Sequence, residues 1–477
     1  MNVISDDILY KVEKPARYIG EEFNSYKKDK EKVDIRYAFC FPDVYEVGMS
    51  HLGSKILYYV LNEREDTYCE RAYAPWPDME KLMRENNIPS FTLETKDSLK
   101  EFDMLGFTLQ YEMSYTNILN MLNMADINVR ASERGEEDPI IMCGGPCAYN
   151  PEPLYDIPDM FIMGEGEEVL NEILDLYKEY KHRSKKEFLR AVCKIEGVYV
   201  PSLYEVSYKE DGTIKEFKPL YDDVPKKVKK RIIANFNEVP YPDKLIVPYT
   251  EIVHDRITLE TFRGCTRGCR FCQAGMIYRP IREKKTDKLM ELAEGLLKTT
   301  GYNEISLTSL SICDYSDIRN LIYSLIEKHK DEKVGVSLPS LRIDSFYVDL
   351  INEIQKVRKT GLTFAPEAGT QRMRDVINKG VTEEDLLNAT RSAFESGWST
   401  IKLYYMIGLP YETIEDAKGI AFTTEKVVDE YYKIPKEKRK KGLKVTASAS
   451  IFVPKPFTPF NGLLNSEKRM LWKEYML

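Results

Sequence analysis

The sequence predicts an α/β protein built in two successive parts, and three observations carry that prediction. Short apolar runs alternate with helical patterns over residues 35–180, and glycines sit directly after several of the runs. A second alternating series begins at residue 257. The stretch between them, residues 185–247, has neither rhythm. Strands alternating with helices argue for parallel sheets. The first series fits a Rossmann-like doubly wound sheet, which binds ligands in the crevice at the carboxyl ends of its strands. The second fits a partial (β/α)6 TIM-like barrel, whose chemistry sits at the same ends.

The elements follow in chain order. Residues 1–34 are a charged lead-in, with Lys27-Lys28-Asp29-Lys30-Glu31-Lys32 read as a surface helix. The apolar runs 35–41, 102–109, 139–143 and 160–163 read as buried strands, because strands covered on both faces show continuous rather than alternating apolarity. A helical pattern runs from His51 to Asn62. Gly144-Gly145-Pro146 ends the third run, and Gly164-Glu165-Gly166-Glu167-Glu168 ends the fourth. Residues 198–201 and 204–206 suggest small strands, and the stretch reads as a connecting segment with a small hairpin, in which the basic run Lys226-Lys227-Val228-Lys229-Lys230-Arg231 is a solvated loop. The second series offers strands at 257–261, 304–308, 334–338, 361–364, 400–405 and 445–451. The expected domains are 1–184, a connecting segment 185–247, and 248–477.

Composition narrows the function. At 477 residues the chain has room for two or three domains. Its 43% hydrophobic and 31% charged content is ordinary for a globular protein. A net charge of −8 supplies no global basic field for nucleic acid. Four histidines argue against histidine-rich metal chemistry. Nine cysteines without a secretory leader suit a reducing cytoplasm, where thiols serve metals rather than disulfides. No apolar run is long enough to cross a bilayer, so no membrane partner is expected.

One motif decides the chemistry. Arg263-Gly264-Cys265-Thr266-Arg267-Gly268-Cys269-Arg270-Phe271-Cys272 packs three cysteines into eight residues with the spacing C-x-x-x-C-x-x-C. Three thiols so close must converge on one object. A structural zinc site closes with four ligands, and the only other close pair is the distant Cys143 and Cys147. Three thiolates suit an iron–sulfur cluster with one iron left open to a substrate or cofactor. Three surface thiols or a zinc knuckle are the plain alternatives.

The run resembles the signature of the radical S-adenosylmethionine (radical SAM) superfamily. The resemblance implies a [4Fe–4S] cluster on Cys265, Cys269 and Cys272, with its open iron chelating S-adenosylmethionine. One electron, from a reductase or a flavodoxin- or ferredoxin-type donor, then splits the sulfonium to a 5′-deoxyadenosyl radical. The resemblance places Phe271 near the adenine and puts the hydroxyls of Ser309 and Ser311 where the family usually carries a Gly-Gly-Glu-like segment for the methionine amino group. It makes Arg342 a candidate for the cofactor carboxylate, Glu367 for the ribose, and Gly408, in Gly408-Leu409-Pro410, part of the adenine-side turn. The plain readings are a core aromatic, a surface salt bridge, a solvated carboxylate and a tight turn.

The first part resembles the cobalamin-binding Rossmann-like domain that precedes the barrel in many radical SAM proteins. That resemblance implies a cobalamin crevice lined by Gly48, Gly144, Gly145, Gly164 and Gly166, where missing side chains let a bulky ligand approach. The ligating pattern D-x-H-x-x-G is absent: Asp43 is followed by His51-Leu52-Gly53 at a different spacing. Any cobalt is therefore expected to lack a histidine from this chain. Over nearly its whole length the chain resembles bacterial radical SAM proteins of this architecture, on Asp43-Val44-Tyr45-Glu46-Val47-Gly48-Met49-Ser50, Leu109-Gln110-Tyr111-Glu112, Ala365-Pro366-Glu367-Ala368-Gly369 and Phe452-Val453-Pro454-Lys455-Pro456. Such proteins continue past the last segment, so this chain, ending at Leu477, is expected to be C-terminally truncated and to lack a substrate-facing portion.

Three functions stay open on the sequence. The first is a radical enzyme, with cobalamin favouring methyl transfer to an unactivated carbon or phosphorus. The second is a radical RNA-modifying, methylthiotransferase-like enzyme that uses residues 226–231 on nucleic acid. The third is a non-catalytic cluster-bearing scaffold or redox sensor. The substrate is not legible.

Overall fold

The computed structural model describes residues 4–338, 342–343, 362–439 and 442–463. The chain divides into two compact units, residues 1–255 with 298–300, and residues 256–297 with 301–477.

The first unit is built on a six-stranded sheet of β1 (Ile35–Phe41), β2 (Thr67–Tyr73), β3 (Met104–Thr108), β4 (Ile140–Gly144), β5 (Met160–Ile162) and β6 (Val198–Tyr199). Their spatial order is β2-β1-β3-β4-β5-β6. The first five are parallel and β6 joins β5 antiparallel. The order 2-1-3-4-5 is that of doubly wound, flavodoxin-like sheets. Its topology reverses beside β1, where β2 leaves on one side and β3 on the other. Six of the seven residues of β1 are buried, which is why the run reads as continuously apolar.

Strand β2 escapes a sequence reading because Glu70 and Arg71 interrupt it, yet both are buried. Glu70 accepts from Arg36 at 2.7 Å and from Thr92 at 2.6 Å. Arg71 donates to Glu22 and Glu94, each at 2.7 Å. Pairing lets charged residues occupy buried positions on this edge strand that would otherwise demand apolar ones. The stretch expected to connect the two parts contributes the helix Lys185–Val192, strand β6, and a hairpin of β7 (Tyr204–Tyr208) and β8 (Ile214–Pro219). The lead-in forms no helix at residues 27–32.

Among the described residues the second unit has six principal strands, at the places the alternation predicts. They are β9 (Ile257–Glu260), β12 (Glu304–Thr308), β13 (Gly335–Ser337), β14 (Leu362–Glu367), β15 (Thr400–Ile407) and β16 (Lys444–Ile451), with β10 (Phe262–Arg263) and β11 (Arg282–Glu283) as a short antiparallel pair near the first. They pair in parallel as two runs in chain order, β9-β12-β13 and β14-β15-β16. Gly361, of the expected fourth strand, lies outside the described residues, as do Pro339, Ser340 and Leu341. Helices Thr286–Thr300, Ile318–His329, Glu383–Glu395 and Ile414–Tyr432 lie between the strands. The last two start at capping boxes on Thr382 and Thr413, each of which satisfies two otherwise orphaned amides. The turn after β14 packs on the last helix so closely that a Cβ on Gly369 would meet the amide nitrogen of Ile420 at 2.3 Å. That contact accounts for the glycine in Ala365-Pro366-Glu367-Ala368-Gly369.

Candidate functional site

The cysteine loop is held by elements on both sides. Strand β10 enters it and β11 leaves it, paired at Phe262–Glu283 and Arg263–Arg282. Asn378 donates its side-chain amide to the Gly268 carbonyl at 2.9 Å, and the Arg270 amide donates to the Ile377 carbonyl at 2.9 Å. The segment after β14 therefore fixes the loop that follows β9, two elements far apart in sequence.

Cys265, Cys269 and Cys272 are partly exposed, whereas the other six cysteines are buried. Backbone amides aim at two of the sulfurs, Arg267 N–H to Cys265 Sγ and Gly275 N–H to Cys272 Sγ, each at 3.4 Å. Such donors suit a sulfur carrying negative charge. Among the described residues, no three Cys, His, Asp or Glu side chains converge as ligands of one ion would. A cubane cluster asks for something wider, because each thiolate binds a different iron.

Charged side chains surround the loop. Burial pushes the Cys269 thiol up, and Cys272 and Cys265 add to the rise, while Lys379 and Arg342 pull it down. Arg267 makes a two-pronged ion pair with Asp314, at 2.6 and 3.1 Å. Against burial, the hydrogen bonds from Arg267 and Ser311 hold the Asp314 carboxyl below its ordinary range. Ser311 donates to Asp314 at 2.8 Å, and its amide donates to the Ser309 hydroxyl at 3.3 Å. Glu367 closes β14 with φ of 69°, in the left-handed region, and pairs with Lys379 at 3.0 Å. Phe271 packs against the cluster of Ala368, Met373, Ile377 and Leu409, beside the Gly408-Leu409-Pro410 turn. The Gly408 amide donates to the buried Glu412 carboxylate.

Hydrogen bonds and charge interactions thus join the cysteine loop to Ser309, Ser311, Arg342 and Glu367, and Phe271 adjoins the turn of Gly408. Asp314, Asn378 and Lys379 were not legible in the sequence. Asn378-Lys379-Gly380 reads as a turn, with positive φ at Asn378 and Gly380, but nothing local shows that it faces the cysteines. Lys379→Met is expected to retain the cluster while lowering its reduction potential, since a cation beside an anionic cluster favours the extra electron. An EPR-monitored redox titration checks this, and an unchanged midpoint would place Lys379 outside the cluster's electrostatic reach.

In the first unit Gly144 and Gly145 follow β4, and Gly164 and Gly166 follow β5. The space beside three of them is filled by the chain itself: a Cβ would meet Leu109 O at 2.9 Å from Gly145, Arg231 O at 2.2 Å from Gly164, and Leu57 at 3.1 Å from Gly166. At Gly144 the nearest atoms, of Ile162, are an ordinary 3.9 Å away. The ends of β1 and β3 meet where Tyr111 donates to Asp43 at 3.0 Å. His51 sits there against Phe41, its Nδ1 accepting from the Ser54 amide at 3.1 Å as a helix cap. Burial pushes its imidazole down to about 4, against a hydrogen bond with Gln110. Tyr111 is 44% exposed at this edge and Met113 is 80% exposed.

Comparison with known proteins identifies the chain. The family model "Radical SAM proteins, N-terminal" matches residues 53–201, and "Radical SAM superfamily" matches residues 259–423. An uncharacterized protein of Methanocaldococcus jannaschii is 30% identical over 92% of this chain and 83% of its own length. The chain belongs to the radical SAM superfamily. An uncharacterized methyltransferase of Pyrococcus horikoshii is 24% identical over 62% of this chain and 60% of its own length. Two solved structures share the fold. The cobalamin-dependent S-adenosylmethionine radical enzyme OxsB superposes with a TM-score of 0.56 at 16% identity, covering 89% of this chain and 60% of that one. The radical S-adenosylmethionine methyltransferase TsrM of Kitasatospora setae, solved with cobalamin and a [4Fe–4S] cluster, gives 0.57 at 12% identity over 90% of this chain and 74% of that one. The chain thus spans 60% of the length of OxsB. At these identities the likeness is one of fold.

The protein is a radical SAM enzyme, and its cofactors include a [4Fe–4S] cluster and S-adenosylmethionine. Enzymes of this kind need an electron donor and a substrate. No helix among the described residues is long and apolar enough to cross a membrane.

Proposed function

We propose that the chain is a cobalamin-dependent radical SAM methyltransferase, acting in the cytoplasm with a flavodoxin- or ferredoxin-type donor. The observation that carries this reading is the pairing of the cysteine loop in one unit with a 2-1-3-4-5 parallel sheet in the other. Cys265, Cys269 and Cys272 would hold three irons. When bound, the cluster supplies the electron that cleaves the S-adenosylmethionine sulfonium. Arg342 would take the cofactor carboxylate in a bidentate pair. Ser309 and Ser311 would accept from its amino group, and Glu367, oriented by Lys379, would meet the ribose. Phe271 and the Gly408 turn would bound the adenine.

For cobalamin, the exposed edge at β1 and β3 supports the reading better than the glycines do. Tyr111 and Met113 offer an apolar margin at the point where such sheets bind ligands. The Nδ1 of His51 is engaged as a helix cap and its ring contacts Gln110, so cobalt coordination by this residue is not expected.

The RNA-modifying reading has a putative methylthiotransferase of Methanocaldococcus jannaschii in its favour, 25% identical over 34% of this chain. Its basic run is partly committed within the fold: Lys229 pairs with Glu196, and Arg231 with Glu168 and Glu172.

The test uses anaerobically reconstituted full chain. With dithionite and S-adenosylmethionine it is expected to form 5′-deoxyadenosine, read by mass spectrometry. Incubated with hydroxocobalamin and desalted, it is expected to retain the corrinoid spectrum, and His51→Ala to leave that spectrum unchanged. No 5′-deoxyadenosine from cluster-replete protein would leave the scaffold reading. No retained cobalamin would end the methyl-transfer reading.

A further inference from the structure

A pocket in the first unit includes Gly48 and Ser54 in its lining, the latter bonded to His51, together with cationic and phenolic groups that neither site above uses. It lies between the helix Leu52–Asn62 and the strap Lys244–Ile246. Phe39 of β1 and Arg71 of β2, which are register partners, form part of its floor. Its empty volume is about 470 Å³ including the open mouth.

Three donors in this pocket have no protein acceptor. Lys55 and Tyr59 are one helical turn apart and so share a face. Both line the pocket, and neither side chain makes a hydrogen bond or ion pair among the described residues. Lys244 lines it from the opposite side, with its ammonium 4.6 Å from the centre of the Tyr26 ring and no carboxylate partner. The other groups around it are already engaged. Arg71 is neutralised by Glu22 and Glu94. Tyr58 donates to Glu94, and Tyr26 to Glu63. Tyr73 shares a hydrogen bond with Arg71.

We propose that this pocket binds a compact oxyanion, a phosphate or carboxylate group, through the ammonium groups of Lys55 and Lys244 and the hydroxyl of Tyr59. An ammonium withdrawn from water without a partner is costly, and an anion removes that cost. The state of Lys55 agrees: burial pushes it down to about 8, Arg71 pushes the same way, and only Asp255 opposes them. Two flexible ammonium groups and a phenol suit a rounded oxyanion, since none imposes the planar fork of a guanidinium.

The test titrates the full chain with inorganic phosphate, and separately with acetate, by isothermal calorimetry in chloride buffer. Saturable binding of either probe is expected, and the tighter one names the source. Lys55→Gln and Lys244→Gln are each expected to weaken it about tenfold or more, the scale of one lost charge-assisted hydrogen bond. Tyr59→Phe should weaken it less, and Lys55→Arg should retain most of it. Circular dichroism and the melting profile establish that each variant is folded. No saturable binding of either probe overturns the proposal. So does binding that stays within twofold of the parent in a folded Lys55→Gln, since the anion would then sit elsewhere.

Discussion

Alanine at Cys265, Cys269 or Cys272 is expected to remove most of the iron and sulfide from reconstituted protein, from about four irons per chain to below about one, because two thiolates rarely retain a cubane. The three sulfurs share a loop that is pinned independently of them, by Asn378 to the Gly268 carbonyl and by Arg270 to the Ile377 carbonyl. Removing one sulfur should therefore cost the cluster and not the fold, and circular dichroism should be unchanged. The control is Cys143→Ala. Cys143 lies in β4 at 1% exposure, and burial holds its thiol well above the ordinary range, so it is neither accessible nor readily ionised. That variant should keep its full iron complement. A triple-alanine protein with a full cluster would overturn the assignment, and 5′-deoxyadenosine formation should fall with the iron.

Local chemistry decided how much could be read in advance. The cysteine loop was legible because its three ligands lie within eight residues. The described strands of the second unit were legible from the alternation of strand-like and helical stretches, since β9, β14 and β15 alternate buried with more exposed residues rather than forming continuous apolar runs. Strand β2 was hidden by Glu70 and Arg71, which read as surface residues until their partners at Arg36, Thr92, Glu22 and Glu94 are known. Asp314 and Lys379 stayed hidden for a related reason. Each is an ordinary loop charge in sequence, and its meaning comes from a neighbour about 47 or 110 residues away.

The glycines show a further limit. Reading Gly145, Gly164 and Gly166 as space for a ligand assumes that an absent side chain faces outward. Here Leu109, Arg231 and Leu57 occupy that space. Gly164 also pairs with Arg231 as an isolated parallel bridge, so its glycine serves the close passage of the chain's own segment. A glycine after a strand reports close approach, and the sequence does not say by what.

Arg71→Met is expected to loosen the first unit by about 3–5 kcal/mol, the usual result of removing one partner from a buried ionic network. Arg71 joins three segments. It donates to Glu22 of the lead-in at 2.7 Å and to Glu94, between the helix Pro77–Glu85 and β3, at 2.7 Å, while its own strand pairs with β1. Both carboxylates are buried, with further bonds from Tyr45 to Glu22 and from Tyr58 to Glu94. Methionine fills the volume of the stem and leaves two buried carboxylates without a cation. Amide exchange in β1 and β2 should then quicken by about two to three and a half powers of ten. The pH dependence identifies the cause. Against burial, Arg71 holds the Glu22 carboxyl below its ordinary range in the parent, so that contribution is lost as the pH falls. In the variant, burial, the largest influence on this carboxyl, is opposed only by its hydrogen bonds from Tyr45 and the backbone and raises it, so stability should rise as the pH falls from about 7 toward about 5. Adding Glu22→Gln and Glu94→Gln to Arg71→Met should restore much of the loss, since no buried charge then remains. Exchange rates unchanged in Arg71→Met, or a deficit that deepens toward acid, would show that the network does not hold the sheet to its lead-in.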